Sequence, residues 1–249
     1  MRKLYVIGIG AGDPEHLTVQ AINRLNEVDV FFVLDKGKEK ADLVRLRHEI
    51  LDRYVTRPYR LAEAKDPERD RTPADYEAEV KAWHGRRVDV YDRLITGELR
   101  ENEVGAFLVW GDPALYDSTI TLLNAVQERG TAFDYTVIPG VSSVSVLAAQ
   151  HRTTFNRIGT AVQITTGRRL ADGWPDGADD VLVMLDAHCT FTRFTGEDMD
   201  IFWGAYLGTP DELVVSGRLA DVAEEIVALR SRARERKGWI MDTYLLRRN

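Results

Sequence analysis

Three times in the first half of this chain, a short apolar run rich in β-branched residues stops at a cluster of glycine, proline or aspartate and gives way to a helical pattern. Lys3–Ile9 (KLYVIGI) runs into Gly10-Ala11-Gly12-Asp13-Pro14. Val104–Trp110 (VGAFLVW) runs into Gly111-Asp112-Pro113, and Asp134–Ile138 into Pro139-Gly140. Helical apolar spacing follows each, over Leu17–Val28, Ser118–Arg129 and Ser142–Gln150. A further buried run, Asp29–Leu34, closes the first strand–loop–helix–strand unit. Parallel strands need such helical crossovers, so the pattern predicts a parallel sheet. It also predicts where function sits, because ligands of open α/β sheets bind outside the carboxyl ends of the strands.

Other regions have different rhythms. Residues 36–103 are dense in Lys, Arg, Asp and Glu, with helical spacing in Leu43–Tyr54 and Tyr76–Leu94 and an exposed loop expected around Ala64–Pro73. The second half packs in candidate strands at Gly159–Thr165, Val181–Leu185, Phe202–Leu207, Glu212–Arg218 and Trp239–Leu246. A weakly patterned helix is expected at Thr190–Asp200 and a strong one at Leu219–Arg236. That density predicts a mixed sheet. Two α/β domains are therefore expected, 1–152 and 158–249, with His151–Ile158 as linker. The first holds the glycine loop and the charged, helical insertion 36–103.

Composition narrows the class. The chain has 249 residues, 44% hydrophobic and 29% charged, with a formal charge of −7. An acidic chain without a basic stripe is a poor nucleic-acid binder. No apolar run approaches the about 18 residues that a membrane span needs. Glycines and Asp13 break the first apolar run too early for a signal peptide, so a cytoplasmic protein is expected. The single cysteine, Cys189, permits no disulfide within the chain, and five scattered histidines make no HExxH or His-x-His pattern, so no metal is expected. Arg247 and Arg248 are expected at an exposed end or a dimer edge.

Familiar ligand motifs fail in detail. A dinucleotide fingerprint counted from Gly8 needs glycine at position 13, where Asp13 stands and would repel a pyrophosphate. No P-loop occurs, and Ser142 lacks the glycine two residues on that a hydrolase elbow requires. One of Ser142 and Ser143 is expected to cap its helix. Carboxylates in two of the loops favour a cationic ligand over a phosphate.

Gly8-x-Gly10-x-Gly12-Asp13-Pro14, Gly111-Asp112-Pro113 and Pro139-Gly140-Val141-Ser142-Ser143, in this order, resemble the tetrapyrrole (corrin and porphyrin) methyltransferase family. So do Met184 in VLVMLD and Leu207-Gly208-Thr209-Pro210-Asp211-Glu212 running to Gly217-Arg218-Leu219. The resemblance spans nearly the whole chain. It implies a class III methyltransferase fold, two α/β domains with S-adenosyl-L-methionine folded back in the cleft between them and released as S-adenosyl-L-homocysteine. It also implies a homodimer and a small-molecule tetrapyrrole substrate, with no nucleic-acid or membrane partner. Within the family, VFFVLDKG at 30–37, VWGDPALYDST at 109–119 and GWIMDTYLLRR at 238–248 point to a member that exchanges an acetyl group on a corrin ring carbon for a methyl group.

By position, the resemblance implies that Gly111, Asp112 and Pro113 line the methionine portion, with Leu115, Ser142 and Ser143 nearby. Met184 and Leu207 contact the nucleoside, and Ile240 or Met241 closes the adenine side. Gly10, Ala11, Gly12, Asp13 and Pro14 face the tetrapyrrole; the family's usual loop has proline where this chain has Ala11. Removing an acetyl group needs a base for water and a donor for the oxyanion. Asp35, one position offset from an acid that transfers protons in some relatives, is the candidate base, and Tyr116 the donor. A polycarboxylate substrate needs local cations: Lys36, Arg152 and Arg157 are the candidates, with Arg168 and Arg169 behind them. The alternatives are a family member acting at another ring carbon, a relative acting on ribosomal RNA or making diphthine, and a nucleotide-binding module without catalysis.

Overall fold

A computed structural model describes residues 1–35, 41–68, 70 and 75–249. The chain divides into two compact units: Met1–Gly10 with Pro14–Val141, and Ala11–Asp13 with Ser142–Asn249.

The first unit is built on β1 (Arg2–Gly8), β2 (Val30–Asp35), β3 (Arg60–Lys65), β4 (Val104–Val109) and β5 (Phe133–Ile138), in spatial order β3-β2-β4-β1-β5. Every pairing is parallel. β1 is almost wholly buried, as expected for a central parallel strand covered on both faces. One face carries Tyr5, Ile7, Phe31, Ala106 and Leu108 under helices α1 (Val19–Leu25) and α2 (Ala41–Tyr54). The other carries Leu4, Val6, Phe32, Phe107 and Val109 under α3 (Tyr76–Glu98) and α4 (Thr119–Glu128). Thr18 caps α1 by accepting the Ala21 N–H, and Asp75 caps α3 by accepting that of Ala78.

The alternation of α1 and α2 with α4 fixes where ligands fit. β4 lies between β1 and β2, and the helix that follows β4 covers the face opposite to those that follow β1 and β2. Both crevices flanking the carboxyl end of β4 are thus topological switch points.

The stretch read as a purely helical, charged insertion contains β3. Its sequence, RLAEAK, has no β-branched residue and buries only Ala62. It is an edge strand held by backbone pairing to β2, so its apolar pattern is faint.

The second unit holds β6 (Val162–Thr166), β7 (Asp180–Met184), β8 (Met199–Ala205), β9 (Leu213–Arg218) and β10 (Asp242–Arg248), in order β6-β7-β10-β8-β9. β6 and β7 are parallel and the other pairs antiparallel, the mixed sheet that was expected. Helix α7 (Leu219–Lys237) packs with Ile201, Trp203 and Ala205. Helix α5 (Ser143–His151) lies on the opposite face, where Leu147 meets Gly204 and His151 meets Phe202 edge-on. The division of the chain therefore falls at Val141–Ser142, not at 152–158: α5 packs on this second sheet. A short helix, α6 (Gly167–Leu170), was not expected. The helix expected at Thr190–Asp200 is a single 3-10 turn, Thr190–Phe194, after which β8 begins. The last strand starts at Asp242 rather than Trp239, because Trp239 and Ile240 turn in to pack on the core. Among the described residues no helix is long and apolar enough to cross a membrane.

Candidate active site

In the first unit, three turns converge on backbone contacts. Gly10 and Gly111 pair as an antiparallel bridge, Gly10 N–H to Gly111 O at 3.3 Å and Gly111 N–H to Gly10 O at 2.8 Å. Both have left-handed φ, +80° and +71°. A Cβ on Gly140 would lie 2.2 Å from the Gly111 carbonyl oxygen. Glycine is needed there so that the ends of β1, β4 and β5 can touch.

Asp112 fastens this junction. Its Oδ1 accepts the Ala114 N–H and its Oδ2 the Gly140 N–H, both at 2.8 Å. The carboxylate expected beside the methionine portion thus ties the β4 turn to the β5 turn. Pro113 is buried, Leu115 half-buried and Tyr116 exposed. Tyr116 has φ +51°, a strained value for a bulky residue. Burial pushes its phenol up, so the hydroxyl stays a proton donor. Asp35 ends β2, the neighbour of β4, and is exposed. The two candidates for acid–base work therefore stand at the carboxyl edge of adjacent strands.

His16 packs its Cβ against Gly10, and its Nδ1 is buried without a hydrogen-bond partner. Lys36 lies outside the described residues.

In the second unit, Met184 ends β7, Leu207 follows β8, and Met241 precedes β10, which lies between those strands. The Tyr206 N–H donates to the Met241 carbonyl at 3.0 Å. These three expected nucleoside contacts are thus brought to one end of one sheet. Leu185 and Tyr206 beside them are left-handed, at φ +55° and +50°. Ser142 is the helix cap, accepting the Ser145 N–H. Ser143 Oγ lies 3.4 Å from Thr243 Oγ1, on the same strand end. The Ala11–Asp13 segment belongs to this unit, and Gly12 sits against the Leu207 carbonyl and Thr209. Pro14 opens a short 3-10 turn and falls in the first unit. Ile240 packs on the hydrophobic core rather than standing at the strand end.

The expected carboxylate forks are not all available. Arg157 pairs with buried Asp180 at 3.6 Å, and Arg247 holds the same carboxylate at 2.9 Å. Both serve the fold, so Arg247 is not an exposed end. Arg152 is exposed, in a left-handed conformation closing α5. Arg169 makes an exposed ion pair with Asp172.

Sequence reasoning missed a second group. Phe32, Leu34, Phe107 and Val109 line a cavity of about 80 Å³ together with Arg47, Arg87, Tyr91, Leu108, Trp110, Asp117 and Thr119. The adjacency of β2 and β4, which brings these residues together, cannot be read from chain order.

Comparison with known proteins fits this arrangement. Residues 3–223 match the family described as Tetrapyrrole (Corrin/Porphyrin) Methylases. The chain belongs to this family. It is 49% identical to the precorrin-6A synthase [deacetylating] of Sinorhizobium sp, over all of this chain and 96% of that protein. The crystal structure of a putative cobalamin synthesis related protein (CobF) from Corynebacterium diphtheriae superimposes with a TM-score of 0.85 at 37% identity, covering 99% of this chain and 98% of the other. A uroporphyrin-III C-methyl transferase from Thermus thermophilus, complexed with S-adenyl homocysteine, shares the fold at a TM-score of 0.59 and 19% identity, over 98% of this chain and 91% of the other.

Proposed function

We propose that the chain is a deacetylating precorrin-6A synthase: it methylates C-1 of precorrin-5 from S-adenosylmethionine and releases the C-1 acetyl group as acetate. The observation that carries this is the 49% identity to the Sinorhizobium enzyme along the whole chain. The family resemblance adds a homodimer working in the cytoplasm.

The donor set suits the cofactor. The turn after β4 carries the Asp112 carboxylate at its start and no cation, which favours a sulfonium over a phosphate. Met184, Leu207 and Met241 offer the nucleoside an apolar surface, and Gly111 and Pro113 a close backbone approach. When bound, S-adenosylmethionine supplies an electrophilic methyl group. Asp35 takes a proton from the water that adds to the acetyl carbonyl. Tyr116 donates its hydroxyl hydrogen to the oxygen that becomes negative. Cleavage of the bond between C-1 and the acetyl carbon then releases acetate and leaves the electron pair on C-1, where the methyl group adds. The loops supply position, which is most of what an in-line methyl transfer needs.

Mass spectrometry of a reaction with S-adenosylmethionine and precorrin-5 tests this. The expected product lacks acetyl, carries one new methyl and is accompanied by free acetate; a methylated product that keeps its acetyl group defeats the reading. Run in parallel, Asp35→Asn is expected to slow acetate release about 100-fold or more, the usual contribution of a general base. Cofactor affinity should stay near wild type. Acetate release at the wild-type rate removes Asp35 from the mechanism.

A further inference from the structure

Two residues at one end of the second sheet hold backbone conformations that bulky side chains avoid. Leu185 leaves β7 at φ +55°, and Tyr206 leaves β8 at φ +50°. Leu185 is also 62% exposed, a large apolar side chain facing solvent. Such strain persists only where the surroundings over-determine it, and it gathers where ligands bind. Each strained residue here is the chain neighbour of a residue assigned above to the nucleoside. Leu185 follows Met184. Tyr206 precedes Leu207 and donates its N–H to the Met241 carbonyl at 3.0 Å.

One buried arginine on α7, Arg230, reaches both places. Its Nη2–H donates to the Asp186 carbonyl at 2.7 Å, and its Nε–H to Asp242 Oδ2 at 2.9 Å. Asp186 is the residue after Leu185, and Asp242 the residue after Met241. β7 and β10 are antiparallel neighbours with Met184 opposite Thr243, so the guanidinium spans the exit of one strand and the entry of the other. The Asp186 carboxylate completes the turn behind Leu185. Its Oδ1 accepts the His188 N–H at 2.9 Å and the Thr190 hydroxyl at 3.0 Å, and its Oδ2 accepts the Thr190 N–H at 2.6 Å and the Tyr244 hydroxyl at 2.7 Å. A Cβ on Gly167 would lie 2.5 Å from that side chain, so the start of α6 closes against it. At the other end of the fork, the Trp203 indole N–H joins Arg230 on Asp242 Oδ2, at 3.1 Å. The Tyr206 hydroxyl donates to the Trp239 carbonyl at 2.5 Å, and the Tyr206 carbonyl accepts the Thr209 N–H and hydroxyl. Apolar side chains of similar volume would hold α7 on the sheet as well or better, so stability alone does not call for this ion pair.

We infer, on the cofactor placement proposed above, that Arg230 is a positioning residue for S-adenosylmethionine. Acting through Asp186 and Asp242, it keeps Leu185 and Tyr206 left-handed and so sets Met184, Leu207 and Met241 where the nucleoside lands. A planar fork with donors in fixed directions can hold a carbonyl and a carboxylate at once, which an ammonium group cannot do with the same geometry.

Calorimetric titration of the full chain with S-adenosylhomocysteine tests this, at a temperature where circular dichroism shows each variant folded. Arg230→Met should weaken binding about tenfold or more, because a site free to relax its strained backbone is only fractionally competent. Arg230→Lys should weaken it as well. Two more variants separate positioning from stability. Arg247→Ala removes a partner of buried Asp180 at the other end of β10; it should lower thermal stability and leave affinity unchanged. Arg230→Met combined with Asp242→Asn removes the stranded charge and keeps an acceptor for Trp203; it should regain stability but not affinity. This pair and Arg230→Lys carry the test even where Arg230→Met alone does not fold. Affinity that follows stability across the variants, or folded Arg230 variants that bind as tightly as the wild type, overturns the positioning role alone. A wild type that does not bind S-adenosylhomocysteine defeats the cofactor placement, and the positioning role with it.

Discussion

The two units place their buried charges in different surroundings. In the second, every component of a polar cluster answers another. Arg230 donates Nε–H to Asp242 at 2.9 Å and Nη2–H to the Asp186 carbonyl at 2.7 Å. Trp203 donates its indole N–H to the same Asp242, and Tyr244 its hydroxyl to Asp186 at 2.7 Å. Asp186 also accepts the Thr190 N–H and hydroxyl and the His188 N–H. In the first unit, Arg47 and Arg87 border a cavity, and the Trp110 N–H has no partner. A closed network specifies a fold; Arg87, answered by Asp66 and Ser118, and Arg47, which donates to the Leu108 carbonyl, hold the wall of a cavity instead of the inside of a core.

The largest effect should come from breaking the closed network. Arg230 and Asp242 are each only 7% exposed. Arg230→Met should cost about 3–5 kcal/mol, because it strands a buried carboxylate. Denaturant unfolding read by hydrogen exchange in peptides from 142–249 measures it. A loss below about 1 kcal/mol there would mean that the network is not what holds the second sheet and α7 together.

Acid should separate the units with opposite signs. In the first, hydrogen bonding from Tyr5 holds Glu27 below its usual range, and the Arg100 backbone N–H does the same for Glu103. A depressed folded value stabilises above about pH 4.5 and is lost as pH falls through it. In the second, burial raises Asp242 above its usual range despite Arg230. A raised folded value works the other way: its contribution is present at low pH and lost as pH rises. Between pH 5 and pH 3, exchange protection should therefore fall further in 14–141 than in 142–249. Equal losses would mean that these carboxylates do not control the acid limb.

The same contrast explains what could be read from the sequence. The junction of Gly10, Gly111 and Gly140 was legible, because turns that need left-handed or Cβ-free backbone leave glycine behind. Strands β1, β2 and β4 were legible because central parallel strands are apolar throughout, and β5, an edge strand, because its aromatic and β-branched residues run straight into Pro139-Gly140. β3 was not, since an edge strand can be held by its neighbour's backbone. Nor were Arg47 and Arg87, which sit in a charged stretch where nothing local separates a wall of a cavity from a solvated helix face. Arg157 shows the converse: a plausible substrate fork by position, it is committed to Asp180, and only the pairing of β10 with β7 reveals that the site is shared with Arg247.

Two consecutive arginines on β10 bring that lesson to its smallest scale. Composition cannot distinguish Arg247 from Arg248. Arg247 reaches fully buried Asp180, the Thr153 hydroxyl and the Thr154 carbonyl. Arg248 points the other way, as alternate residues of a strand must, and pairs with Glu197 at 2.9 Å with both side chains 43% exposed. Its guanidinium also lies 4.3 Å from the centre of the Trp174 ring. Arg248→Ala should cost no more than about 1 kcal/mol, and less in high salt. Arg247→Ala should cost about 2–3 kcal/mol, less than Arg230→Met because Arg157 and Thr160 still face Asp180. Thermal unfolding of the two variants at low and high salt decides it. If they lose the same amount, strand alternation at this edge does not control how deeply each charge is committed, and burial of the partner carboxylate is not what separates the two arginines.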